Sequence, residues 1–157
     1  MKSPQRLCFG VIGTLALALV LVASAAAEGI ADKITVQDPY VRAVPPVVKT
    51  SAAFMQLQNS DAVERILVGA STPASATVEL HTHTLDDGVM RMRQVPNIRL
   101  PANETVSLKP GGLHIMLFDL HAPLNVGDQV PITLTFDDGS NKEISAEVRS
   151  VKRMMQH

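Results

Sequence analysis

Thr77-Val78-Glu79-Leu80-His81-Thr82-His83-Thr84-Leu85-Asp86-Asp87-Gly88-Val89-Met90-Arg91-Met92-Arg93-Gln94 is the stretch on which the fold turns. It reads as two strands, Thr77–Leu85 and Val89–Gln94, joined by a tight turn in which Gly88 supplies a positive φ. A strand sends residues i and i+2 to the same face. His81 and His83 therefore share a face, and so do Met90 and Met92. On the first strand, Val78, Leu80, Thr82 and Thr84 oppose Glu79, His81, His83 and Leu85. A two-residue loop at Asp86-Asp87 sets His81 opposite Met92 and His83 opposite Met90. A three-residue loop, Asp86 to Gly88, slips this by about one position, so the exact pair stays open. Directly opposed side chains have Cβ atoms roughly 4.5–5.5 Å apart, close enough for two ligands to share one metal ion.

Similar stretches continue on both sides. Ile34–Gln37, Ala52–Asn59, Arg65–Ala70, Thr105–Leu108, Leu113–Leu117, Val130–Phe136 and Glu143–Val148 are short and rich in β-branched residues. Gly, Pro, Asn and Asp separate them, which is the pattern of a β-sandwich or barrel. Pro45-Pro46, Pro73, Pro101, Pro110 and Pro123 fall between strands, where a missing N–H does little harm. Asp137-Asp138-Gly139 reads as a second hairpin turn. In Leu113–Leu117 the faces divide cleanly. Leu113, Ile115 and Leu117 point to a core, and His114, Met116 and Phe118 point the other way. This strand must lie beside the first hairpin, or at its rim, if its His and Met are to join those of the hairpin.

The ends carry different signals. Lys2 and Arg6 precede a mostly apolar run, Leu7 to Val22, and then Ala23-Ser24-Ala25-Ala26-Ala27. That is a secretory signal peptide over residues 1–27, with cleavage after Ala27. The run is shorter than the ~18 or more residues usual for a membrane span. Residues 28–149 then form one domain, and 150–157 a mobile tail. Cys8, the one cysteine, lies inside the signal, and Gln5-Arg6-Leu7 before it does not resemble a lipoprotein cleavage box. The exported chain thus has neither a disulfide nor a thiolate. The signal takes two basic residues and no acidic one from a chain of formal net charge −1. The balance, with one Tyr, four Phe and no Trp, excludes a nucleic-acid platform.

Two imidazoles with two thioethers define a restricted chemistry. Thioether sulfur is soft and suits Cu(I), whereas Ca, Mg and Mn want oxygen. Structural zinc prefers Cys and His, and blue copper needs a Cys thiolate. Four neutral ligands favour the lower oxidation state, so the pattern predicts a site that holds Cu(I). His83 reads as a spare ligand or, in preference, as a surface residue beside the metal, and Met90 as an accessory thioether or, in preference, as hydrophobic filler. Met55 reads as core and His121 as a solvated loop residue. Asp86, Asp87, Asp137 and Asp138 belong to turns rather than to a hard-metal site. There is no nucleophile elbow, no paired acid and no carboxylate-bearing hydrolytic metal site, so no enzyme is expected.

His81, Met92, His114 and Met116 also stand in the order H-x10-M-x21-H-x-M, which resembles the signature of the periplasmic copper chaperones called PCuAC proteins. Asp38-Pro39-Tyr40-Val41-Arg42, Ala52-Ala53-Phe54, Val78-Glu79-Leu80-His81, Asp87-Gly88-Val89-Met90-Arg91-Met92 and Pro110-Gly111-Gly112-Leu113-His114-Ile115-Met116-Leu117 look like blocks of the same family. The likeness covers about residues 33 to 149. It implies a cupredoxin-like antiparallel β-sandwich of Greek-key type binding Cu(I) through those four side chains. It also implies delivery in the periplasm to the CuA centre of subunit II of a haem-copper oxidase, directly or with a Sco-type partner, by a monomer. Met154, Met155 and His157 are similar to the Met/His-rich extensions of some members, which take a second copper, often Cu(II). The competing readings are a copper-buffering or resistance protein, which shares the site, and an extracellular interaction module without metal.

Overall fold

A computed structural model describes residues 29–150. The signal peptide expected at 1–27 and residues 151–157 of the expected tail lie outside the described residues. A short turn of helix, α1 (Ile30–Lys33), leads into β1 (Ile34–Arg42), β2 (Thr50–Asn59), β3 (Arg65–Ser71), β4 (Ser75–Asp86), β5 (Val89–Gln94), β6 (Ile98–Leu100), β7 (Thr105–Leu108), β8 (His114–Leu120), β9 (Gln129–Phe136) and β10 (Asn141–Arg149). β6 and α1 are additions to the predicted set, and each is too short to display a period. β1 runs past the predicted Gln37. Pro39 lacks a donor, Asp38 takes φ 46°, and the pairing with β2 jumps between Gln37 and Tyr40. A β-bulge of this kind bends a strand and re-aims it. Beyond it Tyr40 faces Glu147 of β10 in a parallel ladder. The expected all-antiparallel sheet therefore has one parallel pair, made by the first and last strands.

The strands follow one another in the order β5-β4-β8-β2-β1-β10-β9-β3-β6, with β7 also on β2. β2 changes partner along one edge. Its first half, Thr50–Ala53, pairs with β8, and its second half, Met55–Gln58, pairs with β7. Between the layers lies one core, which includes Ala53, Met55 and Leu57 of β2, Leu80 of β4, Ile115 and Leu117 of β8, and Ile132, Leu134 and Phe136 of β9. Burying each such large side chain is worth about 1.5–3 kcal/mol. The fold is the expected all-β sandwich. The split on β8 holds too: Ile115 and Leu117 are fully buried in the core, which leaves His114, Met116 and Phe118 to the opposite face.

The tripeptide Asp-Asp-Gly occurs twice and makes two different turns. In the β4–β5 hairpin Asp86 pairs with Val89, so the loop is Asp87-Gly88, with φ of 49° and 78°. Two positive φ values define the type I′ turn that matches strand twist. In the β9–β10 hairpin Asn141 pairs with Thr135, Phe136 N–H donates to Ser140, and only Gly139 has positive φ. Asp138 instead accepts from the amides of Ser140 and Ile30, both at 2.8 Å, and so holds α1 against the turn.

Candidate metal centre

The hairpin turn fixes which side chains face one another. With Asp87-Gly88 as the loop, His83 stands opposite Met92, and His81 stands opposite Gln94. The pairing of His81 with Met92 drawn from an Asp86-Asp87 loop is thus displaced. Asp-Gly takes the two left-handed positions, and Asp86 stays in the strand, where it reaches Arg93. On its other side β4 pairs with β8, setting His81 directly opposite His114 and Glu79 opposite Met116. Met116 also faces Ala52 of β2. His81, His83, His114 and Met116 therefore share one face of β4 and β8, away from the core. Met92 reaches it from β5.

His114 is buried, at 2% exposure. Its Nδ1 lies 2.8 Å from the carbonyl of Gly112, and a carbonyl only accepts, so Nδ1 carries the proton. Nε2 is then a bare lone pair, and it meets the Met92 sulfur at 3.2 Å. Sulfur also offers a lone pair. Two donors sharing one ion at bond lengths of about 2.0 and 2.3 Å stand about 3.5 Å apart at a tetrahedral angle. The observed pair is close to that spacing. Burial pushes the His114 pKa below its ordinary value. The Gly112 hydrogen bond opposes this, while the charges of His83, His81 and Arg42 add to it. The ring is therefore neutral near pH 7, the state a metal ligand needs.

His81 carries the same kind of support from the other side of its ring. Its Nε2 is 2.7 Å from the Glu79 carboxylate, and its Nδ1 is buried without a hydrogen-bond partner among the described residues. A carboxylate that takes one N–H orients the imidazole and raises the basicity of the other nitrogen, which is the usual outer support of a metal-binding His. Glu79 and the Gly112 carbonyl thus play corresponding parts.

An open cleft of about 250 Å³ lies over this face. His83, Met92, His114 and Met116 line it together with Arg42 and Phe54. His81 is not on its wall; its ring lies 5.9 Å from that of His114. Phe54 backs His114 at 6.2 Å and is itself packed by Tyr40 at 5.2 Å. Arg42 sits over the Phe54 ring, and Arg149, bonded to Asp38, sits over Tyr40. The β1 bulge thus places the aromatic stack that stiffens the back of the cleft. Among the described residues no group of three or more His, Cys, Asp or Glu is arranged to hold a metal ion. Any metal held here must take its donors from the thioethers as well.

Residues 34–148 match the model of the LpqE-like family. The chain belongs to that family. It is 35% identical over 140 residues to Lxx21020 of Leifsonia xyli subsp. xyli, covering 88% of this chain and 83% of the relative. Among solved structures it is similar to the Cu(I) form of DR1885 from Deinococcus radiodurans, at 37% identity and a TM-score of 0.62, over 81% of this chain and 83% of that one. It is also similar to the copper-bound PCuAC domain from PmoF2, at 25% identity and a TM-score of 0.65, over 75% and 93%. The resemblance to PCuAC proteins read from the signature therefore holds for this LpqE-like protein.

The structure also revises several single-residue readings. His83, read as a surface residue beside the metal in preference to a spare ligand, lines the cleft with its ring 5.0 Å from that of His114. Met90, expected as filler, is 54% exposed at the hairpin tip. Met55 is core and His121 is exposed, as expected. Glu79, Arg42 and Phe54 were not picked out as parts of a site. Glu79 had a signal, since it lies on the same face of its strand as His81. Arg42 and Phe54 had none, because only the β1–β2–β8 pairing brings them there.

Proposed function

We propose that this protein binds one Cu(I) through His81, Met92, His114 and Met116 and hands it on outside the cytoplasm. The observation that carries this reading is the convergence of two lone pairs, on His114 Nε2 and Met92 Sδ, at 3.2 Å over a face that also bears His81 and Met116. The donors are neutral and half of them are soft, which suits Cu(I). The structural likeness to a Cu(I)-bound and to a copper-bound protein supports the same cargo. The site binds and releases rather than catalyses. Met92 is 45% exposed and the cleft is open, so the ion is reached by a partner's ligands one at a time. That favours hand-over above storage.

The proposed recipient is the CuA centre of subunit II of a haem-copper oxidase, reached directly or with a Sco-type partner. The proposed compartment is the periplasm. The leader-like residues 1–27 and a family named for a lipoprotein support export. An anaerobic Cu(I) titration against a competing chelator should give one tight equivalent, lost in His114→Ala and in Met116→Ala. Unchanged affinity in both folded variants would remove the site. Mixing the Cu(I) protein with the purified subunit II domain tests delivery: copper should move, and none moving under any partner combination would leave only storage.

A further inference from the structure

The cleft face carries three imidazoles, and the four-residue signature uses two of them. The third is His83. It lies two residues beyond His81 on the same face of β4, directly opposite Met92. Its ring is 5.0 Å from that of His114, nearer than the 5.9 Å of His81. It lines the cleft, which His81 does not. Its Nδ1 is buried and has no hydrogen-bond partner among the described residues. A buried imidazole nitrogen with nothing to donate to is best left as a lone pair, because an unpaired buried N–H costs about 1–3 kcal/mol. His83 Nδ1 is therefore left with an unused lone pair, as His114 Nε2 is once Nδ1 donates to Gly112. The three rings do not form a ready three-imidazole site. One ion takes His114 with His81 or His114 with His83.

We propose that His83 is a fifth copper ligand, which holds Cu(I) at the cleft wall and exchanges with His81 as the ion enters or leaves. This rests on the reading of the four-residue site given above. Side chains at i and i+2 are roughly 7 Å apart along a strand, so the ion shifts by only a few ångströms between the two rings. His114, Met92 and Met116 remain within reach throughout. In the exchange a bond from copper to a His83 nitrogen forms as the bond to His81 Nδ1 breaks. Both are neutral lone-pair donors, so copper stays Cu(I), no proton moves, and His81 Nε2–H remains with Glu79. The ion is never stripped to two ligands. The open side of the cleft then holds His83 and the exposed Met92, the donors a recipient meets first.

The test compares His81→Ala, His83→Ala, the double variant and His114→Ala in purified full-length protein. His83→Gln, of similar size and polarity, guards against loss of fold, which circular dichroism checks. Anaerobic Cu(I) titration gives affinity, and mixing with a chromogenic Cu(I) chelator gives the release rate. His83→Ala should keep one equivalent but release it roughly tenfold more slowly, with added imidazole restoring the rate. His81→Ala should keep weakened binding, and the double variant should fall to the level of His114→Ala. In imidazole ¹⁵N spectra, the His83 nitrogens should shift on Cu(I) addition to His81→Ala. The proposal is overturned if folded His83 variants release copper at the wild-type rate and the double variant binds as well as His81→Ala. Failure of the underlying site looks different: His114→Ala would then bind copper like the wild type.

Discussion

Replacing Glu79 by Gln isolates the part played by the carboxylate behind His81. The side chain keeps its length and can still accept a hydrogen bond, so His81 Nε2–H, now 2.7 Å from a carboxylate oxygen, would meet an amide oxygen instead. What is lost is the charge that makes the opposite nitrogen a better donor. Removing such an outer partner costs about 10–100-fold in metal affinity. Glu79 is 30% exposed in its side chain, so water already screens part of its field, and the lower end applies. The expected loss is roughly tenfold, about 1.4 kcal/mol. Competitive Cu(I) titration reads it directly, and a cycle with His81→Ala apportions it. If Glu79 acts through His81, its replacement in the His81→Ala background should add less than about 0.5 kcal/mol. A full tenfold loss in that background would show that Glu79 acts on the ion by its charge alone. No loss in either background would refute the relay.

Three further outcomes test the scaffold. Leu117→Ala empties a fully buried core position whose side chain points away from the cleft, and should cost about 3 kcal/mol in urea unfolding while leaving Cu(I) affinity within about twofold. Asn59 is fully buried and donates to the carbonyls of Val63, Leu100 and Pro101, so Asn59→Ala should cost about 1–3 kcal/mol by stranding them, read by the same urea curves. The folded His114 takes up its proton at lower pH than the unfolded chain does at about 6.5. As the pH falls below that value the unfolded state is protonated first, so the metal-free protein should lose stability there. Above it His114 contributes no slope. His114→Gln should flatten the loss in urea midpoint between about pH 7 and pH 5, and an unchanged slope would remove this assignment.

The alternation of apolar and polar residues was enough to identify the layers. Leu113-His114-Ile115-Met116-Leu117 shows in five residues which side meets the core, and the structure buries Ile115 and Leu117 while leaving His114 and Met116 to the other face. Such a pattern survives because moving one residue along a strand exchanges every side chain between oil and water. β6 carried no such signal, having only three residues. Nor could alternation reveal that β1 and β10 run parallel. That pairing joins Tyr40 to Glu147, far apart in the chain, and depends on a bulge at Asp38-Pro39 whose positive φ no period announces.

The sequence singles out candidate residues but not their register, and the difference lies in one turn. Period-two patterning says that His81, His83, Met90 and Met92 form two same-face pairs. It does not say how far the strands slide past each other, because a slide of two residues leaves every side chain on its proper face. Only the turn decides that, and Asp86-Asp87-Gly88 offers more than one two-residue loop. Gly88 must take a left-handed position, and Asp87 tolerates the other, so the hairpin closes on Asp87-Gly88. His83 then moves opposite Met92, and His81 moves opposite Gln94 and off the cleft lining. A motif read along the chain selects His81, whereas the cleft presents His83. Both follow from the same six-residue approach to the turn, and a site built from two such rings can keep hold of its ion while changing one ligand for another.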